Sequence, residues 1–142
     1  MTLRLGEMLI AKNLLNKEQL HAALLKQAET GKVLGEILIG MGLVDEKSLL
    51  TVLAEQFNTR FVELENVQIN PLIAKMVPQD LVTEYRFMPI EMRNAVILIA
   101  VSNPLDMWPM SVLQKQLRLS DVQIVLAKKT DIENFIRKYY QA

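Results

Sequence analysis

Residues 4–27, RLGEMLIAKNLLNKEQLHAALLKQ, and residues 33–56, VLGEILIGMGLVDEKSLLTVLAEQ, are two copies of one pattern set 29 residues apart. Nine of the 24 aligned positions are identical: Leu5/Leu34, Gly6/Gly35, Glu7/Glu36, Leu9/Leu38, Ile10/Ile39, Leu14/Leu43, Leu20/Leu49, Leu24/Leu53 and Gln27/Gln56. Such self-similarity resets the fold reading, because each copy is one supersecondary unit that cannot bury its apolar face alone.

Each copy carries the punctuation of two short helices. Leu5, Leu9 and Ile10 share a helical face, and the first helix is expected to stop near Asn13, where the second copy has Gly42. Asn and Gly are the residues that best tolerate the left-handed backbone closing a helix. Asn16 and Asp45 are good N-caps for the second helices, and Gln19 stands three residues after Asn16 as in a capping box. Leu15 can staple onto Leu20, and Val44 onto Leu49. The two copies therefore read as helix–turn–helix, twice.

Most of the shared leucines are explained by a hydrophobic core. The repeated Leu-Gly at the start of each unit and the Gln at its end are not. A Gly within a helix costs roughly 0.5–1 kcal/mol relative to Ala, so its repetition implies a close approach to the backbone. The repeated Gln offers an amide donor and acceptor.

After residue 57 the pattern changes. Residues 61–64 alternate like a short strand. Pro71 and Pro78 each open a short helical stretch (71–76 and 78–85), at the N1 position that proline tolerates. Residues 86–92 and 95–101 are expected to form a β-hairpin around Arg93-Asn94. Residues 106–117 read as a helix entered through a turn at 102–106, with Asp106 near its N-terminus. Residues 122–126 read as a strand, and Thr130 with Glu133 as a capping box opening a helix to Tyr139. The fold class is α+β: an all-helical N-terminal subdomain of tandem hairpins at 1–57, then a small α/β subdomain with an antiparallel β-hairpin at 58–142. Two hairpins are too few for a self-sufficient solenoid, so the second unit should cap or flank them.

Composition narrows the function. The 142 residues are 51% apolar, enough to build a core. Sixteen basic and sixteen acidic residues cancel, so no global field points to nucleic acid or an anionic membrane. That balance, with no basic recognition helix, counts against a DNA-binding helix–turn–helix protein. There is no cysteine, which excludes disulfides and thiolate metal sites and fits a reducing compartment. The N-terminus has Glu7 and no long apolar region, unlike a signal peptide. The longest apolar run, 95–101, is far short of the ~20 residues that span a bilayer. The expectation is a cytoplasmic protein without direct membrane insertion, docking at the inner membrane only through a partner.

Catalytic machinery is not visible. His21, the single histidine, lies beside a polar helix face and reads as a surface residue. No metal-ligand spacing, G-x-x-x-x-G-K-[ST] phosphate loop or G-x-S-x-G elbow occurs. No catalytic residue, metal or cofactor is therefore assigned.

The pattern R-L-G-x-x-L-[LVI]-x-x-G-[LVI]-[LVI]-x4-L-x3-L-x-x-Q, occurring twice with five residues between, resembles the N-terminal domain of MshE-type pilus and type II secretion assembly ATPases, the MshEN family. VQINPLIAKMVPQDLVTEYRFMPIE, ILIAVSNPLD and TDIENFIRKYY are similar to the α/β part of that domain. The resemblance implies a regulatory module that recognises cyclic di-GMP, with one guanine half per motif. Its physics suits the residue types. Arg can stack on a purine and donate to guanine O6/N7, amides at a helix N-terminus suit phosphate, leucines bed a flat base, and Gln reads a base edge.

Carried over, the first half-site is Arg4, Leu5, Gly6, Leu20, Leu24 and Gln27. The second is Leu34, Gly35, Glu36, Leu49, Leu53 and Gln56. Val33 stands where the family pattern has Arg, with Lys32 directly before it, and Asn13 replaces a Gly. The implied partners are cyclic di-GMP, an ATPase domain of the same or a separate chain, and an inner-membrane secretion or pilus platform protein. The alternative is a nucleotide-independent docking domain linking the ATPase to that platform.

Overall fold

The computed structural model describes the backbone of residues 3–102 and 108–140, and the side chains of these except residues 3, 4, 108 and 109. The tandem copies form four helices: α1 (Leu3–Ala11), α2 (Lys17–Thr30), α3 (Leu34–Gly40) and α4 (Glu46–Gln56). The two interhelix turns are the same turn. Asn13 has φ 59° and Gly42 φ 71°. In each, the next residue reaches back five positions: the Leu14 N–H donates to Leu9 O at 2.9 Å, and the Leu43 N–H to Leu38 O at 3.0 Å. This is the double-bonded closure a left-handed residue permits.

The second helices also start alike. Asn16 and Gln19 form the reciprocal capping box, and the Asp45 carboxylate accepts from the Ser48 N–H at 2.7 Å. α2 then ends at Gly31, φ 72°, whose N–H donates to Gln27 O.

Packing crosses between the copies. α1 lies against α4 and α2 against α3, so the first helix of each copy covers the second helix of the other. Several apolar residues 29 apart then have like environments. Leu9 and Leu38 are both fully buried, Leu5 and Leu34 are each 9% exposed, and Leu15 and Val44 are both buried. Such pairing is what an approximate two-fold axis relating the copies produces.

The remainder adds a 3-10 turn at Leu64–Asn66, α5 (Ile73–Met76), α6 (Gln79–Tyr85), β1 (Met88–Arg93), β2 (Val96–Val101), α7 (Trp108–Gln116), β3 (Asp121–Leu126) and α8 (Lys129–Tyr140). The sheet order is β1-β2-β3, with β1 and β2 antiparallel and β3 parallel to β2. α7 makes the crossover that a parallel pair requires. Fully buried Phe87, Met88, Ile97, Ile99, Leu113 and Leu126 centre its core. α4 belongs to both cores: Leu49 and Val52 face the helical cluster, Leu50 and Ala54 the sheet cluster.

Several boundaries differ from those expected. The hairpin turns on Asn94-Ala95, φ 53° and 63°, with Arg93 paired to Val96. Two consecutive positive φ values make the type I′ turn that matches strand twist, which moves the turn one residue along from Arg93-Asn94. The first strand begins at Met88 because α6 closes on Arg86 at φ 52°. Residues 61–64 do not form a strand: Phe61 makes one parallel bridge to Leu126 before the 3-10 turn begins. Pro78 is the residue before α6 and Pro71 lies two before α5, so each proline precedes its helix instead of occupying N1. α8 begins one residue before Thr130, which places Thr130 inside the first turn and not at the cap. β3 begins one residue early, at Asp121, and α7 ends at Gln116. The expected turn at 102–106, with Asp106, lies outside the described residues from 103 onward.

Candidate functional site

The two glycines show what approaches the backbone. A Cβ at Gly6 would lie 2.9 Å from both methyls of Leu20, and one at Gly35 would lie 2.9 Å from a methyl of Leu49. In each copy the leucine of the second helix thus sits directly over the glycine of the first. Ordinary Cβ contacts do not come that close, so Gly is the residue that lets the hairpin shut to this spacing. The repeated Gly and the repeated Leu are one contact, made twice.

Around each contact the remaining candidates follow helical spacing. Leu20, Leu24 and Gln27 rise along α2 at intervals of four and three, and Leu49, Leu53 and Gln56 along α4, so each set shares one face. Leu5 and Leu34, beside the glycines, are buried and anchor the first helices. Gln27 and Gln56 are half-buried. Glu36 is exposed in the first turn of α3, where the helix dipole favours a carboxylate. Arg4 lies on α1, and its side chain is outside those described.

The two halves are not equal. Leu24 is 41% exposed, whereas Leu53 is half-buried and touches both cores. Leu20 is half-buried, whereas Leu49 is 5% exposed. For Leu53 the cause is the sheet unit, which covers α4 but not α2, whereas Leu49 is enclosed by the helical cluster. Leu50 and Ala54 are buried beneath the sheet unit, while their counterparts His21 and Leu25 are exposed, Leu25 to 57%. Val33 caps α3 with no side-chain hydrogen bond and is 54% exposed.

Sequence reasoning missed two features of this surface. One is the cross-copy pairing, which no local signal announces. The other is the Lys12–Glu55 ion pair at 2.8 Å between the turn after α1 and α4, which at half-exposed positions contributes at most about 1 kcal/mol. Two concave places among the described residues, a groove by Thr51, Glu55, Arg60 and Phe61 and a depression on α7 at Ser111 and Lys115, include none of the candidate residues. Among the described residues no three His, Cys, Asp or Glu side chains are grouped to hold a metal ion, and no helix is long and apolar enough to cross a membrane.

The architecture matches known proteins. The MshEN domain family model matches residues 57–142, and the chain belongs to that family. The match falls on the sheet unit, whereas the tandem hairpins precede it. Type IV pilus assembly ATPase PilB of Myxococcus xanthus is 27% identical over 137 residues, 96% of this chain and 24% of that protein. PilB of Thermus thermophilus is 33% identical over 105 residues, 72% of this chain and 12% of its own. The chain thus spans a quarter or less of these curated relatives. A structure of MshE with cyclic di-GMP superposes with a TM-score of 0.86 at 27% identity, covering 96% of this chain and 98% of that one. The N-terminal domain of XpsE shares the fold, with a TM-score of 0.70 at 17% identity, over 96% of this chain and 94% of that chain.

Proposed function

We propose that this chain is a cyclic di-GMP-binding regulatory module of a type II secretion or type IV pilus assembly ATPase system. The observation that carries the reading is the doubled Gly–Leu contact in a crossed, approximately two-fold arrangement of helices. A cyclic dinucleotide is itself two-fold, so two related, unequally exposed apolar beds with a Gln near each suit its two bases. The likeness to MshE with cyclic di-GMP supports the same assignment. The chain would act as a sensor for a motor. It has no phosphate loop, so ATP hydrolysis would belong to an ATPase domain of the same or a separate chain. Function at the cytoplasmic side of the inner membrane, through the platform partner, completes the proposal.

In this reading Arg4 stacks on or donates to the first guanine. Leu5, Leu20 and Leu24 form the bed, with Gly6 beneath Leu20, and Gln27 reads the base edge. Leu34, Gly35, Glu36, Leu49, Leu53 and Gln56 serve the second base, without a cation at Val33. Calorimetric titration of the folded chain with cyclic di-GMP should give saturable heat. Silence at high micromolar ligand would end the idea. Arg4→Ala should weaken binding about ten-fold or more, a loss near 1.4 kcal/mol.

The exposed stripe on α2 favours a second reading, a nucleotide-independent docking domain for the platform protein. Leu24 and Leu25 are open where Leu53 and Ala54 of α4 are covered. Retention of the purified platform protein by this chain without nucleotide, abolished by Leu25→Glu, would favour it.

A further inference from the structure

We infer that Gly6 is a positioning residue for the nucleotide, acting through Leu20 and not by lending its own backbone to the ligand, and that Gly35 guards the core in the same contact. This inference rests on the nucleotide reading of the tandem motif. The two contacts look alike but leave different room for a methyl group.

At Gly6 an added Cβ would meet both Leu20 methyls at 2.9 Å and its Cγ at 3.5 Å. Turning the isobutyl group about its own Cβ–Cγ bond exchanges one blocked methyl for the other, so the whole side chain has to move. Leu20 is half-buried, and its open side is the way out. It would swing onto the surface that Leu24 and Gln27 continue, so the disturbance falls on the base-stacking bed. At Gly35 only one methyl of Leu49 is at 2.9 Å, with Cγ at 3.9 Å and the second methyl at 4.0 Å. Leu49, however, is 5% exposed and enclosed by the helical core. It has no open side, so the same methyl presses inward on packed neighbours, which costs stability. One contact, repeated, thus has an affinity role in the first copy and a stability role in the second.

The test is a cycle of Gly6→Ala, Leu20→Val and the double variant, with Gly35→Ala alongside. Each is titrated with cyclic di-GMP by calorimetry and melted without ligand. Leu20→Val removes the methyls that reach Gly6 but keeps an apolar bed. Gly6→Ala should weaken binding about five-fold or more while holding its melting temperature within a few degrees. Adding Leu20→Val should restore affinity to that of Leu20→Val alone, because the two methyls at 2.9 Å from the new Cβ are then absent. Gly35→Ala should lower the melting temperature by more than Gly6→Ala does. If Gly6→Ala fails to fold, the affinity role assigned to the first copy is overturned, because the same methyl then costs stability there as it does at Gly35. A wild-type chain that binds no nucleotide overturns the nucleotide reading and this inference together. A wild-type chain that binds, with losses that simply multiply in the double variant, overturns the inference alone, since a ligand touching the Gly6 backbone would be blocked in either background.

Discussion

Val33 sets the clearest difference between the copies, because it occupies the place of Arg4 and is more than half exposed at the start of α3. An Arg there displaces no packed neighbour and makes no capping bond to lose. Val33→Arg should therefore tighten cyclic di-GMP binding by about 0.5–2 kcal/mol, roughly two- to thirty-fold, read by the same calorimetry. An unchanged affinity would mean that no base or phosphate comes near position 33.

Asp45 acts at the same scale but on folding. The Ser48 backbone N–H, and then the Ser48 side chain, hold its carboxyl below the usual carboxylate value. A depressed value in the folded state means that the cap stabilises above the unfolded value near 3.9 and is lost as pH falls through the folded value. Asp45→Ala should lower the melting temperature at pH 7 by a few degrees. That deficit should shrink below about pH 4, where the wild-type carboxyl also loses its charge.

Among the elements, α4 joins what the sequence divides. We propose the division after residue 57 as one of architecture, with the helical part dependent on the sheet unit for covering α4. Leu50 is 3% exposed against the sheet core, whereas His21, its counterpart 29 residues earlier, is exposed on α2. Leu50→Ala should then destabilise the chain by about 2–5 kcal/mol. His21→Ala should stay within about 0.5 kcal/mol, with urea unfolding as the readout. Equal effects would mean that the sheet unit does not support α4. The caps and turns of both hairpins were legible because they depend on residues within five positions: Asn13 and Gly42 for a left-handed closure, Asn16 and Asp45 for an acceptor. The shift of the β-turn to Asn94-Ala95 was not. It depends on the register of Arg93 against Val96, and Ala has little intrinsic preference for a positive φ. Phe61 misled for a similar reason. Its alternation resembles a strand, but the pairing stops at a single bridge to Leu126, closed by the Val62 N–H on Leu126 O at 2.8 Å.

For the molecule as a whole, a ligand bound only by the folded state stabilises it by mass action. At a hundred-fold excess over Kd the gain is about 2.7 kcal/mol, and about 2–4 °C accompanies each kcal/mol in a chain near this size. Cyclic di-GMP should therefore raise the melting temperature by about 5–11 °C, while GMP at equal concentration should do far less. The same rise with GMP would argue against two half-sites acting on one ligand. The duplication, the turns and N-caps of the tandem hairpins and the residue types at each candidate position could be read from the order of residues alone, because repetition and capping are local properties of the chain. That the copies cross-pair, that Leu20 and Leu49 are what the glycines admit, and that the sheet unit covers α4 while leaving α2 open became visible in the folded molecule. Those outcomes depend on surfaces brought together from distant positions, and the one-sided burial of α4 adds to the sequence differences that make the two related motifs unequal.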